Sequence, residues 1–191
     1  GSIFSLDDNT RSLLHHKSKL GEFFLSSDSI GHTYKYTKSM SQIIKNISSE
    51  DINTFYKKCS TIGAYIIFPS KKIDNKMTIN GARGINAKIK DRFDLTLECI
   101  RRYYIKEQSP LGETLNRYSS FFDLFNNFQG YVDFFLLNDL VNEKYSSIKF
   151  LIPFESFKKN PLPSDVHEYK LYKKNMTNFI SARNQRIVND Y

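Results

Sequence analysis

The feature that most constrains the fold is an apolar periodicity that follows a glycine-bracketed arginine near the middle of the chain. Over residues 85–104, apolar side chains recur every three or four positions: Ile85, Ile89, Phe93, Leu97, Ile100 and Tyr104. This spacing predicts one amphipathic helix whose apolar face packs on a core. Directly before it, Asn80-Gly81-Ala82-Arg83-Gly84 predicts a tight turn after a short strand over residues 77–80.

The other patterns alternate between strands and helices, which is typical of an α+β protein. Short strands are predicted over residues 13–14, 23–25, 34–36, 61–68 and 148–153, and helices over 38–47, 50–58, 111–125 and 164–187. Residues 131–141 are apolar almost all round, which predicts a buried helix or, as the alternative, a central strand. A chain of 191 residues with 40% apolar content can bury a core of its own. We therefore predict a single α+β domain over residues 3–191, in which a small, mainly antiparallel sheet packs against several α-helices. Gly1 and Ser2 are expected to be a tag remnant.

Charge is unevenly distributed along this basic chain, whose formal net charge is +8. Residues 61–106 contain ten basic and four acidic residues. This asymmetry predicts an anionic partner near residues 71–106, namely RNA, DNA or a nucleotide. The two cysteines, Cys59 and Cys99, lack metal-ligand spacing, so neither a metal site nor another cofactor is expected. No apolar stretch is long enough for a membrane span, and we expect a cytoplasmic protein.

The glycine-bracketed arginine supports two interpretations. In the first, the predicted turn is a phosphate or nucleotide cradle, in which Gly81 and Gly84 free backbone N–H groups and Arg83 adds a charge-assisted contact. In the second, the glycines only turn the chain and Arg83 pairs with an acid such as Asp91 or Asp94. The motif matches neither a Walker loop nor a GxGxxG fingerprint, so the sequence favours the second interpretation.

Basic side chains continue along the predicted helix, at Lys88, Lys90, Arg92, Arg101 and Arg102. Together they form a candidate groove for a phosphate backbone. The alternative is a solvated helix face with internal ion pairs, since Glu98 and Arg102 have the favourable i, i+4 spacing. Because the basic positions wrap around the helix instead of forming one stripe, the solvated face is favoured.

Two short segments contain candidate catalytic residues. His15 and His16 are adjacent, so on a strand they point to opposite faces and do not chelate one metal together. Either one is suited by its pKa range to act as a general base, although ordinary packing also explains it. Ser70, Lys71 and Lys72 follow the strand predicted over residues 61–68. They are candidates to grip or cleave a phosphodiester, or they form a polar hairpin tip.

Several longer segments resemble one family of bacterial proteins. The segments are KMTINGARG (residues 76–84), DRFDLTLECIRRYY (91–104) and GYVDFFLLNDLV (130–141). Together they resemble a domain-of-unknown-function family found mostly in Gram-positive bacteria. The resemblance implies a bacterial cytosolic protein and no assigned activity. It also implies that a further N-terminal portion precedes these residues in the natural protein.

The function expected from these observations is that of a nucleic-acid- or nucleotide-binding module. Its enzymatic version is a metal-independent RNase of the toxin or phage-defence sort, and its alternative is a non-enzymatic domain that binds a protein or a small anion. The candidate anion-binding residues are Gly81, Arg83, Gly84, Lys72, Lys88, Arg92, Arg101 and Arg102. The candidate catalytic residues are His15, His16, Ser70 and Lys71.

Overall fold

The β-strands form one antiparallel sheet at the N-terminal end of the chain. The computed structural model describes residues 3–6 and 14–190. Within them, the strands are β1 (Ile3–Leu6), β2 (Leu14–Ser18), β3 (Gly21–Ser29) and β4 (Tyr65–Pro69). Their order is β1-β2-β3-β4, and each neighbouring pair is antiparallel. The small antiparallel sheet predicted from the sequence is thereby confirmed.

Helices account for most of the remaining regular structure and, together with the sheet, give the protein its α+β class. The α-helices of the described residues are α1 (Ser41–Ile44), α2 (Ser49–Cys59), α3 (Ile79–Ile85), α4 (Phe93–Tyr104), α5 (Gly112–Arg117), α6 (Ser119–Phe122), α7 (Phe128–Phe134) and α8 (Val166–Asp190). Short 3₁₀ helices cover Lys38–Met40, Ile62–Ala64, Asp123–Phe125 and Asn138–Leu140. No helix of the described ranges has the length and apolar character needed to cross a membrane.

Helix α8 is the longest element, and its sequence explains its position. Its apolar side chains recur every three or four residues, and those of Tyr169, Tyr172, Met176 and Ile180 are buried. The Tyr172 hydroxyl donates to the carbonyl oxygen of His32 at 2.9 Å, and the Tyr169 hydroxyl donates to that of Thr33 at 2.7 Å. The final helix predicted from the sequence is therefore present, and it packs along α2 and against the segment that follows β3.

Near the end of α8, Arg183 joins two distant parts of the chain. Its buried guanidinium donates to the carbonyl oxygens of Gly63, Tyr65 and Phe135 at 2.6–2.9 Å. No carboxylate of the described residues lies within ion-pair distance of it. Burial therefore lowers the pKa of Arg183 to about 10.

The strand predicted over residues 77–80 does not form, and the helix predicted over residues 85–104 is wrong in its boundaries. Helix α3 begins within the former, and the Thr78 hydroxyl caps it by accepting from the Gly81 N–H. The chain then leaves the helix and turns back, so that the Asp91 N–H donates to the carbonyl oxygen of Arg83. Lys90 and Asp91 both have positive φ angles in this turn. An apolar period runs through the turn because Ile89 is also buried, and periodicity alone therefore does not reveal the break.

Two other predicted elements are shorter than expected. Helix α7 ends at Phe134, and the remainder of the helix predicted over residues 131–141 is a 3₁₀ turn and a single β-bridge. That bridge joins Val141 to Ile148 and is the β-structure found where a strand over residues 148–153 was predicted. The predicted strand over residues 34–36 is irregular, with Tyr34 at a positive φ. Leu13 lies outside the described residues.

Candidate functional site

Arg83 lies inside the protein and is fully buried. Its Nη1 is 2.6 Å from Asp28 Oδ2 on β3 and 3.1 Å from Asp91 Oδ1 in the turn before α4. Its Nε donates to the Thr96 hydroxyl and its Nη2 to the Asp91 carbonyl oxygen, both at 3.3 Å, so all three guanidinium nitrogens have internal acceptors. The interpretation in which Arg83 pairs with Asp91 therefore describes the structure. Gly81 and Gly84 lie within α3, where their N–H groups form no open cradle.

Burial at this cluster changes the proton affinity of its neighbours. Burial raises the pKa of Asp28 above its ordinary value, although the Arg83 guanidinium opposes that shift. His32, in the segment after β3, has its pKa lowered by burial, with the charges of Asp91, Arg83 and Asp28 acting on it in addition. The cluster ties β3, α3 and α4 together, and its arginine does not reach solvent.

Arg92 forms a second buried ion pair, immediately before α4. Its Nε donates to Asp94 Oδ1 at 3.1 Å, its Nη2 also bonds to the Asp94 carboxylate, and the two side chains are 2% and 0% exposed. The Arg92 Nη1 donates to the Pro161 carbonyl oxygen at 2.8 Å, and the Leu151 N–H donates to Asp94 Oδ2 at 2.9 Å. Burial opposes the charge on Arg92, but Asp94 more than offsets it and the pKa of Arg92 is raised. The pair therefore holds the segment 151–161 against α4.

Arg101 and Arg102 form ion pairs with one carboxylate on their own helix. Arg101 Nε is 2.8 Å from Glu98 Oε2, and Arg102 Nε is 2.7 Å from Glu98 Oε1. The two arginines together lower the pKa of Glu98 against the opposing effect of its burial. The guanidinium of Arg102 also lies over the ring of Phe157 at 5.1 Å. The internal ion pair foreseen at i, i+4 is present, and both guanidinium groups have a carboxylate partner on their own helix.

The candidate catalytic histidines point to opposite faces of β2. His15 Nε2 is 2.7 Å from Glu22 Oε1, and the His15 ring stacks on Phe24 with centroids 4.6 Å apart. His16 Nε2 is 3.1 Å from the Ser18 hydroxyl oxygen. Each histidine thus contacts a different side of the sheet, and the structure does not bring the two together.

Ser70, Lys71 and Lys72 follow the end of β4. The buried Ser70 Oγ has no hydrogen-bond partner within the described part of the chain. Lys71 lines a shallow depression of about 370 Å³ together with Glu22 of β3. Lys72 is exposed. No base among the described side chains contacts Ser70, so its hydroxyl lacks the partner that a serine nucleophile uses.

Lys88 and Arg92 instead meet at a cavity of about 340 Å³. The cavity lies between the start of α4, the segment 152–162 and the start of α8. Lys88, Arg92 and Leu95 line it on one side. The lining also includes Phe154, Glu155, Ser156, Lys159, Asn160, Ser164 and Glu168. The Arg92–Asp94 pair shapes this cavity because it holds Pro161 in place. Two of the predicted anion-binding residues are therefore brought to one concave site.

The polar groups of the cavity differ in how far they are already paired. Glu168 accepts hydrogen bonds from the N–H and the hydroxyl of Ser164, both at 2.8 Å, and Lys159 forms an ion pair with Glu155. Lys88 is exposed, and no carboxylate of the described residues lies within ion-pair distance of it. Its ammonium group is thus the cation of the cavity that is available to a ligand.

Aromatic side chains form the apolar part of the same region. Phe154 is half-buried, with its ring centroid 4.5 Å from that of Phe150 and 5.0 Å from that of Phe157. The sequence reasoning missed Phe154, Lys159 and Glu168 because they lie more than sixty residues after Lys88 along the chain. In the segment before α8, Pro161 and Pro163 were the sequence signal, and they predicted a loop without indicating a binding site.

Comparisons with known proteins place the chain in a family. Within the described ranges, no three His, Cys, Asp or Glu side chains are grouped in a way that could hold a metal ion. No curated protein and no solved structure matches the chain. One family model matches residues 1–187, which is nearly the whole sequence. The chain belongs to DUF6994, a family of unknown function.

Proposed function

We propose that the protein binds a nucleoside monophosphate, or a close analogue of one, in the cavity lined by Lys88 and Phe154. The observation that carries the proposal is the combination of one available ammonium group, one half-buried aromatic ring and two carboxylates around a single concave site. Ligand sites of this kind are concave and largely preformed, with a small number of polar groups that fix orientation.

The ligand's phosphate would lie at Lys88. An ammonium group makes charge-assisted hydrogen bonds with phosphate oxygens, and these are stronger than bonds between neutral partners. The buried guanidinium of Arg92 is neutralised by Asp94 and contributes through the position of the wall, not through contact with the anion.

The sugar and the base would occupy the opposite part of the cavity. Carboxylates accept hydrogen bonds from ribose hydroxyl groups, and Glu155 and Glu168 both line the cavity. The ring of Phe154 offers a face on which a base can stack, an interaction worth about 1–3 kcal/mol per base. The volume of about 340 Å³ falls in the lower part of the range of small-molecule sites. A ligand with one phosphate thus fits the charge and the size better than a longer polyphosphate.

Isothermal titration calorimetry tests the proposal with four probes: a purine and a pyrimidine nucleoside monophosphate, the free nucleoside and inorganic phosphate. We expect a monophosphate to bind more tightly than either the nucleoside or phosphate alone. The Lys88→Gln variant should weaken its binding by at least about tenfold, since a hydrogen bond to a charged group is worth about 1.5–3 kcal/mol. Phe154→Ala should weaken the nucleotide and leave the affinity for inorganic phosphate unchanged.

Lys90→Gln is the matched control for the loss of charge. Lys90 is exposed and lies two residues from Lys88, but it does not line the cavity. Equal weakening by Lys88→Gln and Lys90→Gln would show that only the general charge of the surface matters. Absence of heat with every nucleotide at millimolar concentration would refute the proposed function.

A further inference from the structure

A second concave surface lies between helices α2 and α8, away from the proposed nucleotide cavity. It encloses about 280 Å³ and is lined on α2 by Asp51, Thr54, Phe55 and Lys58, and on α8 by Lys173, Lys174, Thr177 and Asn178. We call this surface the lysine groove and include Lys170, which lies one turn before Lys174 on α8. The α8 members are spaced three and four residues apart, so they form one stripe beside the buried face of that helix.

The lysine groove has an excess of positive charge that its own residues do not neutralise. Lys173 Nζ is 3.3 Å from Oδ1 of Asp51, the acidic residue that lines the groove, so this carboxylate is already paired. The hydrogen bond from Lys173 lowers the pKa of Asp51, and the charge of Lys170 adds a smaller contribution. Within the described residues, Lys58, Lys170 and Lys174 have no carboxylate at ion-pair distance. Three cations therefore remain available on one surface.

From this arrangement we infer that the lysine groove binds the sugar–phosphate backbone of a nucleic acid. Lys170 and Lys174 are separated by one helical turn, about 6 Å along the axis, which covers about two successive phosphates of one strand. The Thr54 and Thr177 hydroxyl groups and the Asn178 amide are further donors of the kind that contact phosphate oxygens. These contacts go to the backbone, so binding is expected to show little dependence on sequence.

This inference does not depend on the proposed nucleotide cavity. The two surfaces share no lining residue, and the groove consists of residues separated by more than one hundred positions along the chain. None of its lysines lies in the basic segment 61–106 that the sequence first indicated. A failure of mononucleotide binding would leave the lysine groove unaffected, and the reverse also holds.

Fluorescence anisotropy with labelled oligonucleotides tests the inference at several salt concentrations between about 50 and 200 mM. The probes are single-stranded RNA, single-stranded DNA and duplex DNA of the same length. The Lys58→Gln/Lys170→Gln/Lys174→Gln variant should reduce the slope of log K against log salt by about 2 for single strands and about 2.7 for duplex, if each lysine neutralises one phosphate. The arm with the tightest binding identifies the form of nucleic acid.

The matched control is Lys144→Gln/Lys149→Gln/Lys158→Gln, which removes three exposed lysines elsewhere on the protein and leaves the same net charge. It should retain the wild-type salt slope. Equal losses in the two triple variants, or no binding of any probe at low salt, would overturn the inference. The inference would also be overturned if the protein bound no oligonucleotide but bound anionic phospholipid vesicles, and if the groove variant lost that vesicle binding. Lys174→Glu is a second variant at a single exposed position, and it should weaken binding without changing the melting temperature.

Discussion

The buried pair of Arg92 and Asp94 gives the sharpest test of how the protein is held together. Replacing Arg92 with Met keeps an unbranched apolar stem, although a shorter side chain, and removes the charge and four hydrogen bonds. Asp94 then retains the Leu151 N–H as its partner and is otherwise a carboxylate with 0% exposure. The change therefore leaves an uncompensated charge in the interior.

The size of the effect follows from that burial. Removing one partner of a buried ion pair typically costs about 3–5 kcal/mol, because the remaining charge stays desolvated. For a chain of this size each kcal/mol corresponds to about 2–4 °C in melting temperature. We therefore expect Arg92→Met to lower the melting temperature by roughly 6–20 °C and to remove a large part of a typical folding free energy of about 5–15 kcal/mol.

Urea unfolding followed by circular dichroism measures the cost, and a double-mutant cycle separates the charge from the packing. The Arg92→Met/Asp94→Asn variant has no unpaired charge and keeps an oxygen to accept from the Leu151 N–H. It should be more stable than Arg92→Met alone, with a coupling energy of at least about 1.5 kcal/mol. Arg101→Met is the matched control. Glu98 keeps Arg102 as its partner there, so the loss should stay below about 1 kcal/mol.

Two results would refute this reasoning. A loss of less than about 1 kcal/mol in Arg92→Met would mean that Asp94 is solvated or has another partner. Equal losses in Arg92→Met and in the double variant would mean that the cost comes from packing and not from the stranded charge.

Three further outcomes are expected from other buried groups. The folded-state pKa of Asp28 is raised by burial, so its contribution to stability is present at low pH and is lost as pH rises through that pKa. Asp28→Asn should flatten this decline, which begins above about pH 4, in urea titrations. Burial raises the pKa of Cys59 and Cys99 to about 12, so iodoacetamide should modify neither thiol in the native protein and both in denaturant, as measured by mass spectrometry. Gly31→Ala should cost about 1–3 kcal/mol in unfolding free energy, because its Cβ would lie 2.6 Å from the Cys59 sulfur.

The sequence predicted the elements whose local pattern matches their tertiary environment. Helix α8 is an example, because its apolar period coincides with the face that it buries. The strand predicted over residues 61–68 corresponds in part to β4, which begins four residues later because Ile62–Ala64 form a 3₁₀ turn. The break between α3 and α4 was not predictable in this way, because the buried Ile89 continues the apolar spacing through the turn.

The candidate sites show the same division. Sequence reasoning could ask whether Arg83 faces an internal acid, but it could not tell that Asp28, fifty-five residues earlier, would be its nearer partner. From the sequence, only Lys88 and Arg92 could be named as candidate residues of the cavity, because Phe154 and Glu168 are brought to it by the fold of the chain. The lysine groove gave no local signal at all. Its α2 and α8 members become neighbours only when the helices pack.

The contacts of Arg183 have a consequence for the order of events during protein synthesis. The carbonyl oxygens of Gly63 and Tyr65 just before and within β4, and that of Phe135 after α7, receive their donor from a residue near the end of α8. While the ribosome is still translating residues before position 183, these three carbonyl oxygens lack the guanidinium donor that they have in the folded protein. The contacts that tie the start of β4 and the end of α7 to Arg183 therefore form only after this part of α8 has left the exit tunnel. Until then the nascent chain presents apolar surface of the kind that chaperones bind.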